Sequence, residues 1–341
     1  MPSKRRWPRG AAAPRTATWP RWTRFGTRPR LPSAPDPLAA IAALPGIEPL
    51  RLLRDRPDRL VLQIRLDGRP AWLKLWRGPD PTAAVAQAES RLRAAALALG
   101  QALDAVAPPL LILPERGILI TAPAPGRPVA QALAGADQAE RAALIARMGS
   151  WLRRLAGTTR ARGRFGPRFW LNGLEARIAA ATGDWIDRDL VAGHMRRMRA
   201  EAESLRGAAV ERGLCHGDLT PDNLFVDAPR PGILRLTAID MQGATEMALA
   251  RDMARLLVWL ESRRERPPAP TRDGIALPDW LALTGVPGLM APDQAPILRF
   301  LIGELMLAYY LDSARQPARR RALVRAMRDW GGQDRAITPA P

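Results

Sequence analysis

Leu214–Asp227 reads LCHGDLTPDNLFVD, and Leu236–Gly243, close behind it, reads LTAIDMQG. Asp218 and Asn223 stand five residues apart, and Pro221 stiffens the turn between them. A further acid, Asp240, follows an apolar run. Phosphoryl transfer needs an acid that accepts the proton of a hydroxyl, together with oxygen donors that hold the cation neutralising the phosphates. Asp218 suits the first role; Asn223 and Asp240 suit the second, with Mg2+ as the cation. A lone Asp after a strand means little, but each of these three needs the other two.

Outward from this segment the chain changes character. Val61, Gln63 and Arg65 alternate with Leu62, Ile64 and Leu66, and Asp67-Gly68 predicts a hairpin turn into a returning strand over Ala71–Trp76. Pro81–Leu99 predicts an alanine-rich helix. PPLLILP at Pro108–Pro114 and GILITAP at Gly117–Pro123 predict two more strands joined at Glu115-Arg116-Gly117. PAPGRPV, at Pro123–Val129, predicts a break and a hinge. Beyond it the pattern turns helical: Asp137–Leu155 with Asp137 as N-cap, then a long helix within Trp185–Arg212, then Met247–Glu261, Gln294–Ser313 and a short basic helix over Ala318–Asp329. Two short strands are expected inside the catalytic segment, at Leu224–Val226 and Ile233–Ile239. The expected class is α+β, with a small antiparallel-sheet lobe over residues 36–122, a larger mostly helical lobe over 123–330, and a cleft between them.

HGDLTPDNLF resembles the catalytic loop of the aminoglycoside phosphotransferase and choline kinase-like families, relatives of the protein kinases, and AIDMQG resembles their metal-binding segment. The resemblance is strongest over Leu214–Leu257 and extends more weakly from Leu50 to Tyr310. It implies a protein-kinase-like two-lobed fold and transfer of the ATP γ-phosphate to a hydroxyl of a small molecule or sugar. Asp218 takes the place of the base, and Asn223 and Asp240 that of the metal ligands. Lys74, on its strand in AWLKLW, is by itself either an edge residue or an ammonium in a cleft. The resemblance implies that it holds the α and β phosphates and pairs with an acid on the following helix. Glu89 is the candidate, being the sole acid between Pro81 and Gly100. Backbone groups of Ile120 to Ala122 would contact adenine. His216 would support the loop backbone, and Asp252 would brace it. His194 and Cys215 carry no expected chemistry.

The chain departs from the protein-kinase pattern. The segment before Lys74, RDRPDRLVLQI, has no glycine-rich loop, and no activation segment follows Asp240. Both departures favour a small-molecule kinase over a protein kinase. A kinase of a lipopolysaccharide core sugar at the inner membrane face, and a catalytically inactive binding protein, are the alternatives.

The acceptor is less legible. Antibiotic-modifying relatives set clustered acids against a cationic substrate; the acids available here are Glu246, Glu261, Asp273, Asp279 and Glu304. Arg162, Arg164, Arg168, Trp170 and Asn172 predict a basic, aromatic loop, either suited to an anionic or sugar acceptor or simply solvated. Lys and Arg number 52 against 33 acids. Lys4 and eight arginines precede Leu31, and no acid occurs before Asp36. Residues 1–35, with Trp7, Trp19 and Trp22, read as a disordered basic arm or a start placed too far upstream; residues 331–341 read as a tail. Such termini suit an anionic membrane surface. No nucleic-acid motif accompanies the charge. No apolar run spans a membrane, and one cysteine excludes an internal disulfide. The expectation is a cytoplasmic protein, peripheral to the inner membrane face if the arms engage it.

Overall fold

The computed structural model describes residues 37–100, 103–230, 232–265 and 270–332. The expected arm over residues 1–35 lies outside the described residues, as does all of the expected tail beyond residue 332. The chain divides into two compact units, Met1–Pro45 and Gly46–Pro341. In the first, a short helix, α1 (Pro37–Ala42), is described.

The second unit opens with the expected antiparallel sheet. Strands β1 (Ile47–Arg56), β2 (Arg59–Leu66) and β3 (Arg69–Trp76) form consecutive hairpins. Asp67 and Gly68 both have positive φ, 50° and 75°, as a two-residue turn matched to strand twist requires. Helix α2 (Pro81–Leu99) starts at Asp80, whose carboxylate accepts from the Ala83 N–H at 2.9 Å. Past the two-residue β4 (Ala105–Val106), β5 (Pro109–Leu113) and β6 (Ile118–Thr121) complete a five-stranded sheet in the order β1-β2-β3-β6-β5. Side chains alternate across it. Leu60, Leu62, Ile64, Leu73 and Ile120 are buried on one face. Val61, Trp72, Lys74, Leu119 and Thr121 line a cavity on the other.

The expected hinge is in part a strand. β7 (Arg127–Pro128) pairs with the strand that carries Phe225 and Val226, and α3 (Val129–Ala134) follows at once. Gly126 allows the approach: a Cβ there would lie 2.1 Å from the Val226 carbonyl oxygen. Helix α4 (Gln138–Gly157) begins with a reciprocal cap, Asp137 and Glu140 each accepting from the other's N–H at 2.8 and 3.2 Å.

The stretch expected as a basic loop is strand β8 (Ala161–Arg164) and the start of helix α5 (Pro167–Ala180). Its proline falls at the first helical position, where the missing N–H costs nothing. The helix expected within Trp185–Arg212 is shorter: α6 (Arg188–Leu205) is capped by Asp187, and Gly207, at φ 74°, turns the chain into strand β9 (Ala209–Cys215). The two short strands expected here are present as β10 (Leu224–Arg230) and β11 (Ile233–Ala238); they pair antiparallel and sit in a sheet ordered β4-β11-β10-β7.

Strand β12 (Thr245–Ala248) pairs with β9 and leads into helix α7 (Leu249–Glu261). The short hairpin β13 (Thr271–Arg272) and β14 (Ile275–Ala276) precedes α8 (Leu277–Thr284). The long α9 (Ala295–Leu311) and basic α10 (Pro317–Gly332) close the unit near the expected places. The core gathers α4, α7 and α9, with Trp151, Met253, Leu257, Phe300 and Leu305 all at most 1% exposed. Burying each such side chain contributes about 1.5–3 kcal/mol. Among the described residues no helix is long and apolar enough to cross a membrane.

Candidate active site

Helix α7 is buried along almost its whole length yet carries Arg251, Asp252, Arg255 and Glu261. Buried charges persist when paired or hydrogen-bonded, and each of these has at least one such partner. Arg251 pairs with Glu304. Glu261 takes Arg264 at 3.3 Å and the Ala276 N–H at 3.2 Å. Asp252 Oδ2 accepts the N–H groups of His216 and Gly217 at 2.6 and 3.3 Å. Burial pushes the Asp252 carboxyl above its usual range, against the pull of His216 and Arg255. Asp252 thus braces the backbone that leads into Asp218, as the resemblance implied.

His216 carries the brace onward. Its Nε2 donates to the Ile239 carbonyl at 2.9 Å, which leaves Nδ1 to accept the Asp218 N–H at 3.3 Å. The Ile239 N–H in turn donates to the Asn223 carbonyl at 3.0 Å. One residue therefore ties the approach to Asp218, the position of Asn223 and the strand end that presents Asp240. A second tie is steric: Gly217, at φ 80°, lies against Gly243, and a Cβ there would meet the Gly243 carbonyl oxygen at 2.1 Å.

The Asp218 carboxylate is held at both oxygens. Asn223 Nδ2 donates to Oδ2 at 3.1 Å and to the Asp218 carbonyl at 2.9 Å, and Arg255 Nη1 reaches Oδ1 at 3.1 Å. Because Asn223 Nδ2 faces two acceptors, its amide oxygen faces the other way. Asp240 sits in a left-handed conformation, φ 62°, at the end of β11. Its Oδ1 accepts from Lys74 Nζ at 2.6 Å, and the same ammonium donates to Gln242 Oε1 at 2.9 Å. Burial, aided by Arg59 and Arg54, lowers the Lys74 ammonium against the attraction of Asp240. Burial raises the Asp240 carboxyl, but Lys74, with Arg59 and His216, outweighs it and holds the group below the usual carboxylate range.

Lys74, Asn223, Asp240 and Gln242 line a cavity of about 270 Å3. Its apolar wall includes Val61, Trp72, Ala88, Leu92, Leu119 and Phe225; Arg54 and Arg59 stand at the β1–β2 end. A register shift between Leu52 and Arg54 lets two successive residues, Leu53 and Arg54, reach this face. Asp218 stands beside Asn223 but outside the lining, half exposed.

Four of the expected site residues are thus brought together: Lys74, Asp218, Asn223 and Asp240. Three are not. Glu89 does not pair with Lys74; its carboxylate takes Arg93 one turn along α2 at 2.6 Å, while Asp240 and Gln242 satisfy the ammonium. Ile120 is paired on both sides, opposite Leu73 of β3 and Leu111 of β5, so its backbone groups are engaged within the sheet. The Ala122 N–H is taken by the Pro108 carbonyl at 2.9 Å. The basic set expected for the acceptor is displaced as well. Arg162 and Arg164 pair in register with Glu211 and Ala209, roughly 13 Å or more along β9 from its end at Cys215. Arg162 bridges to Asp293 at 3.2 Å, and Trp170 stacks under Arg251 at 4.5 Å.

Sequence reasoning missed Arg54, Arg59, Gln242 and Arg255. Arg255 had a signal: with Arg251 and Trp259 it recurs every fourth residue, which places all three along one stripe of α7.

The model of the phosphotransferase enzyme family (APH) matches residues 50–286. No curated protein sequence matches the chain. Among solved structures, the chain is similar to the GDP and kanamycin complex of APH(2")-IIia, at TM-score 0.59 and 13% identity over 86% of this chain and 97% of that one. It is similar to a thermostable mutant of the aminoglycoside phosphotransferase APH(4)-Ia in apo form, at TM-score 0.54 and 16% identity over 84% and 96%. It is also similar to the amicoumacin kinase hAmiN in complex with AMP-PNP, Ca2+ and Ami, at TM-score 0.52 and 16% identity over 89% and 94%. At these identities the likeness establishes the fold, and the expected α+β, two-part kinase-like architecture is borne out.

Proposed function

The chain belongs to the phosphotransferase enzyme family, a small-molecule phosphotransferase, and from that premise we propose that it moves the γ-phosphate of ATP to a hydroxyl of a small molecule, with Asp218 as the base. The observation that carries this reading is the convergence of Lys74, Asn223 and Asp240 on one cavity with Asp218 hydrogen-bonded at its edge. The apolar wall suits a nucleobase. Lys74, Arg54 and Arg59 suit the phosphates that follow it. Neighbouring structures hold AMP-PNP, ADP or GDP, which supports a purine nucleotide as the donor.

In the proposed step the acceptor oxygen forms a bond to the γ-phosphorus, the bond from that phosphorus to the β–γ bridging oxygen breaks, and ADP leaves. The hydroxyl proton passes to an Asp218 oxygen. Arg255 and Asn223 fix that carboxylate so that it need not reorient during the reaction.

The residues fit a divalent cation. Asn223 Oδ1 and Asp240 Oδ2 accept no hydrogen bond among the described residues, and both side chains border the cavity. Hard oxygen donors of this kind suit Mg2+. When bound, Mg2+ would neutralise charge on the β and γ phosphates.

Phosphate transfer from radiolabelled Mg-ATP across a panel of polyols, sugars, amino sugars and hydroxy acids tests the reading. Transfer to at least one acceptor is expected, and Asp218→Asn is expected to lower kcat at least about a hundredfold with nucleotide binding kept. Unchanged turnover in Asp218→Asn would remove Asp218 from its role. Nucleotide binding without transfer to any acceptor would favour a binding protein.

A further inference from the structure

We infer that the acceptor carries an anionic group, a carboxylate or a phosphate, seated against Arg263 and Arg319 on the Asp218 side of the site. The inference rests on the reading of Asp218 as the base.

A group of charged and aromatic side chains extends from Asp218. Arg255 bridges to Asp218 at 3.1 Å. Tyr309 lies beside Arg255 and feels the Asp218 charge. The Arg319 guanidinium lies 4.4 Å over the Tyr309 ring. Arg263 is within electrostatic range of Arg319 and Tyr309, and bridges to Asp222 at 3.2 Å. Asp222 adjoins Asn223 and also accepts the Trp259 Nε1–H at 3.1 Å. Three guanidiniums thus face two carboxylates around the place where an acceptor must approach the base.

The arginines are held ready. The Arg263 guanidinium lies over the Trp259 ring at 3.8 Å, and that of Arg319 over Tyr309; a cation–π contact restrains a guanidinium while its outer N–H groups stay available to ligands. Arg319 makes no ion pair among the described residues; its one hydrogen bond is to Gln316 Oε1 at 3.3 Å. The Nε atoms of both Arg255 and Arg319 are buried without a hydrogen-bond partner. A buried N–H without an acceptor is costly, and an oxyanion beside these guanidiniums would be held by charge-assisted bonds to their outer N–H groups.

The acids that would receive a cationic acceptor are spent elsewhere. Glu304 takes Arg251, Asp273 takes Arg299 at 2.8 Å, and Asp279 takes Arg141 and Arg264 at 2.7 and 2.5 Å. Glu261 takes Arg264. Of the five acids expected for that role, Glu246 alone has no ion pair among the described residues, and one carboxylate makes no acidic pocket.

Calorimetric titration of the full chain loaded with Mg-ADP tests the inference. The probes share one carbon skeleton and differ in charge: D-gluconate and D-glucose 6-phosphate, D-glucose, and D-glucosamine, with kanamycin as a polycation. At least one anionic probe is expected to bind about tenfold or more tightly than the neutral and cationic ones. Which anion binds better separates a carboxylate from a phosphate. Arg263→Gln and Arg319→Gln are each expected to weaken that binding severalfold while Mg-ADP affinity stays unchanged, which also reports that the variants fold. The inference is overturned if neither anion binds, if a neutral or cationic probe binds as well, or if both substitutions leave anion binding intact. Failure of the wild type to bind Mg-ADP would instead remove the kinase reading beneath it.

Discussion

Lys74 Nζ and Asp240 Oδ1 meet at 2.6 Å although 166 residues separate them in sequence. The pair joins the N-terminal sheet to the end of β11, with 16% and 22% of the two side chains exposed. It sets one wall of the cavity, and it replaces the lysine–glutamate pair expected with Glu89.

The consequence is a contrast between two substitutions. Lys74→Ala leaves Asp240 without its counter-charge and is expected to raise KM for ATP at least about tenfold, since breaking a partly buried pair strands the remaining charge. Glu89→Gln removes an i,i+4 pair whose arginine is largely exposed and is expected to change KM for ATP less than about threefold. Steady-state kinetics on both variants checks this, and equal losses would restore Glu89 to the site.

Asp252 is the brace with the largest expected stability cost. Asp252→Ala strands the N–H groups of His216 and Gly217, at roughly 1–3 kcal/mol for each buried donor. Asp252→Asn keeps one acceptor oxygen and is expected to cost distinctly less. Urea unfolding of the two variants gives the comparison, and similar midpoints would mean that the hydrogen bonds to Asp252 do not matter.

Gly217→Ala tests the contact between the segment that carries Asp218 and the one that carries Asp240. A Cβ at a positive-φ position 2.1 Å from the Gly243 carbonyl forces one segment away from the other. Strain at such a position costs on the order of 1–3 kcal/mol, and turnover is expected to fall together with thermal stability. A variant of wild-type activity and melting temperature would show that the contact yields easily.

His194 predicts a pH dependence remote from the site. Burial, then Arg197 and Arg299, pushes its imidazole down to about 4, against the raising effect of the Gly303 carbonyl that Nε2 faces at 2.9 Å. The unfolded chain titrates near 6.5 and so binds the proton more readily than the folded one. Stability from this group is therefore full above about pH 6.5 and falls as pH drops toward 4, by about 1.4 kcal/mol per unit. His194→Gln is expected to flatten that slope in denaturant unfolding followed from pH 7 to 4.5. An unchanged slope would assign the acid sensitivity to other groups.

Features set by adjacent residues are legible in the sequence, and those set by distant neighbours are not. The Asp67-Gly68 hairpin, the Asp137 cap and the pair β10 and β11 were legible because a few adjacent residues dictate each. Helix α6 ended early because the turn at Gly207 and the pairing of β9 with β8 and β12 outweighed the helical pattern. Strand β8 and helix α5 read as a loop because short, arginine-rich elements show little periodicity until neighbours bury one face. The backbone partners of Ile120 and Ala122 are nonlocal too: strands β3 and β5 flank Ile120, and the Pro108 carbonyl takes the Ala122 N–H.

By itself the sequence determined the chemistry on offer. Asp218, Asn223 and Asp240 are fixed in spacing by a tight turn and a short hairpin, so their mutual placement follows from local geometry. The tertiary structure decided what each charge does. Lys74 went to Asp240 and Gln242 rather than to Glu89, Arg255 went to Asp218, and the acids suited to a cation went to other arginines. A charge in a partly buried setting is governed by the nearest opposite charge and by its desolvation, and folding alone determines which residues become neighbours.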